Sequence, residues 1–115
     1  MDLSTAQALT LWQKTNLNLV RDDDPDLSMR QMAILLTIYL EAPPHTVRAL
    51  AARLGVSKPV ITRALDSMGR HKLVSRRRDE ADKRNVLVQR TVEGVLYIER
   101  LADTIVETAR TQDPR

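Results

Sequence analysis

Ten of the eighteen Lys and Arg residues in this 115-residue chain fall between Ser57 and Arg90, where four acidic residues accompany them. That segment carries +6, and the eight Lys/Arg against eleven acids elsewhere leave the remainder at −3. Cations gathered in this way hold a polyanion, and guanidinium groups in particular match phosphate oxygens. Groups that could make or break bonds are scarce. The two histidines, His45 and His71, read as a surface residue of a connector and a cation at a helix end. No nucleophile is spaced to meet a base, no Gly-rich loop could cradle a nucleotide, and no His/Cys/Glu spacing suggests a metal site. Without cysteine there is no disulfide, thiolate ligand or thiol switch, which fits a reducing interior. The acidic run at 22–26 (DDDPD) lacks the spacing of a calcium loop and reads as a solvated connector. The expectation is a binding protein rather than an enzyme, with no cofactor and no metal.

Those cations need a scaffold, and the apolar periodicity supplies one. A short helix is expected over 47–54, with Leu50 and Leu54 one turn apart, Ala51 beside them, and Gly55 free to end it at positive φ. Val56 plugs the turn. A second helix follows with Ile61, Ala64, Leu65 and Met68 on one face and Thr62, Arg63, Asp66 and Arg70 on another. Ser57 is placed to cap it through the N–H of Val60, and Pro59 shifts its start toward the next residue. A helix–turn–helix offering short polar and basic side chains near the start of its second helix can enter a major groove. Next comes a basic β-hairpin, with Leu73 and Val74 leading in, DEADKR at the tip, and Val86, Leu87 and Val88 on the return. Successive side chains on a strand alternate faces, so Arg76, Arg77 and Arg78 cannot all point one way.

Flanking helices complete the chain. Residues 3–21 open with Ser4 and Gln7, and a second helix, nearly apolar all round and running to about Glu41, opens with Ser28 and Gln31; both pairs have capping-box spacing. Pro43-Pro44 ends the latter. Thr91 caps a last helix to about Arg110, on which Val95, Ile98, Ala102, Ile105 and Ala109 repeat at three and four residues. Leu96, Tyr97, Leu101 and Val106 add a second strip, so the helix needs two partners, and a second copy of the chain is the preferred one. The core must be aliphatic, because Trp12, Tyr39 and Tyr97 are the only aromatics. No apolar run approaches membrane-span length and the start lacks a signal-peptide layout, so the expected location is cytoplasmic.

With these residues assembled, the chain resembles the MarR family of bacterial winged-helix transcription regulators over roughly residues 28–95. LAARLGVSKPVITRALDSM stands where the family reads LAxxLGxSKxxVTRxLDxL, and Asp82, Arg84, Val88, Thr91 and Gly94 match the family's wing pattern D-x-R-x-x-x-V-x-L-T-x-x-G. Three departures stand out. Arg90 replaces the family's leucine, Lys72-Leu73 replaces Gly-Leu before the wing, and one long helix follows the wing where the family adds another. The cysteines of its oxidant-sensing members are also missing. The resemblance implies a mainly α fold with a small β-hairpin (α+β), a winged helix–turn–helix flanked by N- and C-terminal helices. Residues 1–115 would form one domain: 1–27 an N-terminal helix and acidic loop, 28–91 the DNA-binding core, 92–115 a dimerisation helix.

It further implies a sequence-specific regulator, a repressor by expectation, binding pseudo-palindromic duplex DNA as a homodimer and released by a small aromatic effector. Ser57, Lys58, Pro59, Thr62 and Arg63 would meet the major groove and its phosphates. Arg63 could read guanine or hold a phosphate, and that choice stays open. Arg76, Arg77 and Lys83 would add to the basic face of the wing, and Arg84 would enter the minor groove, oriented by Asp82. Trp12, Val95, Ile98, Leu101, Ala102 and Ile105 would form the dimer interface. The alternative reading is a winged helix used for protein contacts alone, without DNA binding.

Overall fold

Four of the five helices begin at a residue whose side chain replaces a missing backbone partner. In the computed structural model, which describes residues 2–21 and 23–112, Ser4 and Gln7 exchange reciprocal bonds ahead of α1 (Thr5–Arg21). Ser28 and Gln31 do the same at the start of α2 (Met29–Leu40). Thr46 accepts from the N–H of Ala49 before α3 (Val47–Leu54), and Thr91 accepts from that of Gly94 before α5 (Val92–Arg110). Each cap removes an orphan donor, a contribution of about 1 kcal/mol. The expected helix over 3–21, both capping boxes and the Thr91 cap are therefore present.

The chain divides into two compact units, Leu27–Leu96 and Met1–Asp26 with Tyr97–Arg115. The first holds α2, α3, α4 (Lys58–Arg70) and a three-stranded antiparallel sheet of β1 (His45–Thr46), β2 (Val74–Arg78) and β3 (Val86–Arg90) in the order β1-β3-β2. Its core is aliphatic as expected. Ile34, Leu35, Ile38, Ile61, Leu65 and Met68 have no exposed surface, with Leu50, Leu73, Val74 and Val88 nearly so. Burying each such side chain is worth about 1.5–3 kcal/mol, and together these residues fix how α4 sits against α2 and α3.

The third strand is a finding the sequence did not signal. Two residues are too few for an alternating pattern, yet His45 pairs with Val88 and Thr46 with Leu87. His45 is consequently buried, with Nε2 at 3.1 Å from the Glu41 carbonyl, which corrects its reading as a surface residue. A lone imidazole in a connector gave no hint that the connector would become a sheet edge.

In the other unit, Thr15, Tyr97, Leu101 and Thr108 are buried. Thr15 and Thr108 satisfy their hydroxyls on Leu11 O and Thr104 O, one turn back. Asp24 holds Arg100 through two bonds of 2.7 and 3.1 Å, and the Gln112 amide donates to the Gln7 carbonyl. The acidic loop thus uses one carboxylate to anchor a helix; Asp22 of the same run lies outside the described residues. Leu101, expected at a dimer interface, is 6 % exposed and belongs to this unit's interior. Trp12, Val95, Ala102 and Ile105 are exposed and Ile98 is half-buried. No helix among the described residues is long and apolar enough to cross a membrane.

Candidate nucleic-acid interface

Gly55 sets the geometry of the site. Its φ of 68° and ψ of 36° are left-handed, a conformation in which a side chain would be strained, and the N–H groups of Gly55 and Val56 close the end of α3 on Ala52 O and Ala51 O. The chain reverses there, and α4 begins at Lys58. Ile61, Ala64, Leu65 and Met68 of α4 are all buried, as their spacing predicts. Successive helical residues are about 100° apart, so burying this stripe forces Pro59, Thr62, Arg63 and Arg70 outward.

Ser57 occupies the cap position in extended conformation, but its side chain makes no capping bond, contrary to expectation. Pro59 stands at the second helical position, where its ring fixes φ and it has no N–H to offer. The Ser57 hydroxyl is left uncommitted. Ser57, Lys58, Pro59, Thr62 and Arg63 are all exposed, and none of their side chains bonds another described residue. Five of the nine expected DNA-facing residues therefore form one contiguous surface at the start of α4.

The hairpin divides its arginines as strand alternation requires. Arg76 lies opposite Val88 and donates to the Asp66 carboxylate of α4 at 2.7 Å. Arg77, opposite Leu87, points to the other face and borders a hollow of about 480 Å³ with Pro43, Pro44 and Gln89. At the tip, one Asp82 carboxylate oxygen accepts from both the backbone N–H and Nε of Arg84, at 3.1 and 3.0 Å, and the other accepts from Nη2 at 3.1 Å. The Arg84 guanidinium and its backbone N–H hold the Asp82 carboxyl below its ordinary range, and the same pairing raises the Arg84 value. Asn85 closes the turn through Asp82 O and Asp79 N. Lys83 and Arg84 are exposed, so the tip presents two cations on a turn whose shape the chain itself determines.

One cluster escaped sequence reasoning. The Tyr39 hydroxyl donates to Leu73 O at 2.8 Å and accepts from the Thr91 N–H at 3.0 Å, and the Thr91 hydroxyl donates to Lys72 O at 2.7 Å. Arg90 places Nε on Ile38 O and Nη2 on Glu41 O, at 2.8 and 3.0 Å, with its guanidinium 5.7 Å from the centre of the Tyr39 ring. It therefore caps the last carbonyls of α2 while lying on the strand that leaves the wing. A Cβ on Gly94 would come within 1.7 Å of the Tyr39 hydroxyl and 2.3 Å of Leu73 O, which explains glycine at that position. Lys72 takes φ 60°, the conformation that a glycine in the usual Gly-Leu pair adopts without strain. Two of the departures from the family pattern, Arg90 and Lys72, meet at the root of the wing; Arg90 was the available signal.

The family model described as MarR family matches residues 27–86, more than half of the chain. No curated protein matches it. Among solved structures, the chain is similar to an S. aureus MepR–DNA complex at 23 % identity and TM-score 0.76, covering 90 % of this chain and 82 % of that one. It is also similar to the PcaV transcriptional regulator from Streptomyces coelicolor (26 % identity, TM-score 0.66, covering 91 % and 76 %). A third is YusO from Bacillus subtilis (18 %, TM-score 0.73, covering 91 % and 72 %). These likenesses establish the winged-helix fold, and the chain belongs to the MarR family.

Proposed function

We propose that this MarR-family chain is a transcription regulator that binds duplex DNA as a homodimer, with the start of α4 in the major groove and the β2–β3 wing on the minor groove. The observation that carries the reading is the uncommitted surface of Ser57, Lys58, Thr62 and Arg63 on the same compact unit as the exposed Lys83 and Arg84. Short polar side chains at the first two turns of a helix can approach base edges, while the cations beside them neutralise phosphates. Asp82 keeps Arg84 in one orientation, which lowers the entropy lost when a guanidinium settles in a narrow groove. MepR has been crystallised on DNA, and the similarity in fold supports the same partner here.

A homodimer follows from the exposed apolar residues of α5 and from Trp12, which one chain leaves in water. Two α4 helices related by a two-fold axis would read two half-sites about one helical turn apart, so the operator is a pseudo-palindrome. Selection of bound fragments from a randomised duplex pool tests this. Enrichment of an inverted repeat with that spacing is expected. Absence of any retained duplex at low salt would favour a winged helix that contacts only proteins.

A further inference from the structure

The two flanks of α4 are not alike. On the wing side, Asp66, Gly69, Arg70 and Arg76 line a hollow in which the acid already occupies one arginine, with Arg76 donating to Asp66 at 2.7 Å. On the other side, the first turn of α2 and the first two turns of α4 enclose a hollow of about 220 Å³ lined by Ser28, Arg30, Gln31, Val60, Arg63 and Ala64. No carboxylate of the described residues lines it. Arg30 and Arg63 reach it from different helices, both are exposed, and neither bonds another described residue.

The polar groups between them are donors. The Ser28 hydroxyl oxygen already accepts the Gln31 N–H at 3.1 Å, and Gln31 Oε1 accepts the Ser28 N–H at 2.8 Å. The Ser28 hydroxyl proton and the Gln31 amide N–H groups are free to donate to an outside partner. Two guanidiniums, a hydroxyl proton and an amide, above the short apolar side chains of Val60 and Ala64, form a surface that favours an anion. A tetrahedral oxyanion can accept from both arginines at once.

We infer that this hollow seats a backbone phosphate of the duplex, and that Arg30, which lies outside both sequence motifs, is a DNA-positioning residue. The inference rests on the duplex-binding reading and deepens it. Phosphate contacts on the strand bordering the major groove set the register of the inserted helix, so the α2 flank would decide how far α4 enters. Arg63, shared between the hollow and the outward face, is thereby directed to a phosphate rather than a base edge. On the wing flank, by contrast, the Asp66 carboxylate lies in the hollow, holds Arg76 and would repel a phosphate.

The test uses the full chain and the dependence of duplex affinity on salt, with Arg30→Ala, Arg30→Lys and Arg84→Ala compared with the unsubstituted protein. Arg30→Ala is expected to reduce the slope of log K against log salt by about two units, one for each chain of the dimer, and to weaken binding roughly a hundred-fold at 0.1 M salt, equally on selected and unrelated duplexes. Arg30→Lys should retain most of the slope, because the charge remains. Arg30 bonds no other described residue, so the melting temperature of the variant should be unchanged, and a fall in affinity could not then be assigned to misfolding. An unchanged slope for Arg30→Ala beside a reduced one for Arg84→Ala would overturn the phosphate seat and leave the duplex reading standing. Loss of duplex binding by no variant, because the unsubstituted protein binds none, would remove both. Inorganic phosphate at fixed ionic strength separates the two sources of the anion: no shift of the Arg30 Nε–H resonance at 1 mM phosphate is expected, whereas a saturating shift would make the hollow a free-anion site instead.

Discussion

α4 and α5 carry the same sequence pattern and put it to different uses. In α4 the residues Ile61, Ala64, Leu65 and Met68 stand at i, i+3, i+4 and i+7, and their own unit buries every one of them. In α5 the residues Val95, Ile98, Ala102, Ile105 and Ala109 repeat at three and four and likewise share one helical face, yet Val95 and Ile105 remain about 40 % exposed and the two alanines face solvent. The residues that α5 does bury lie on the adjoining strip: Gly94, Tyr97, Leu101 and Thr108. A glycine and a threonine among them hide that strip from a reading based on hydrophobicity. Periodicity shows that a helix has an apolar face; what covers the face depends on the rest of the chain or on another chain.

Charging the uncovered stripe of α5 should have the largest effect. Ile105→Lys is expected to weaken the dimer on the order of a thousand-fold, since an ammonium closed into an apolar interface costs several kcal/mol. Sedimentation should then give the mass of one chain, and an unchanged dimer would move the interface elsewhere. Leu101→Lys is a different experiment, because that side chain is interior to its own unit and the substitution should unfold it.

On the covered stripe, Leu65→Ala should cost about 2–5 kcal/mol in chemical denaturation, as expected for a fully buried leucine that leaves a cavity. The truncation Ile105→Ala, measured below the concentration at which chains pair, should cost less than about 1 kcal/mol. Equal losses at the two positions would erase the distinction. Gly94→Ala comes next. Its methyl would require the Tyr39 hydroxyl and the Leu73 carbonyl to move, at about 1–3 kcal/mol, and should lower the melting temperature by several degrees.

The smallest effect is at the wing tip. Pairing with Arg84 lowers the Asp82 value in the folded chain, so whatever order the pair provides is fully present above the unfolded-state value of about 4 and is lost only as pH falls through the lower folded one. The carboxyl carbon resonance of Asp82 should therefore titrate with a midpoint below that of an ordinary aspartate. A midpoint at or above about 4 would mean the pair is open in solution.

How much of this was legible in the sequence depends on the range of the interactions. The caps at Ser4, Ser28 and Thr91, the glycine at 55 and the buried face of α4 involve residues within four or five positions of one another, and spacing reveals them. The alternation of Arg76 and Arg77 is equally local. The Tyr39 cluster joins residues 34 and 52 positions apart, and its members are individually unremarkable in type. β1 is two residues long, and His45 is buried only because β3 returns beside it. Arg90 was visible as a departure from the family pattern but not as a cap on α2, since nothing nearby in sequence names the carbonyls it bonds. The site follows the same division. Its α4 face was readable; Arg30, thirty-three residues before Arg63, was not.

Engagement of one duplex by α4 and the wing together is what the proposed function requires. Its most direct measurement is the affinity for a selected duplex over a range of salt, with and without Arg84→Ala. Simultaneous engagement predicts a slope lower by about two units, one for each wing of the dimer, and weaker binding to every sequence tested. A variant whose slope and affinity match those of the unsubstituted protein would place the wing off the DNA and contradict the account.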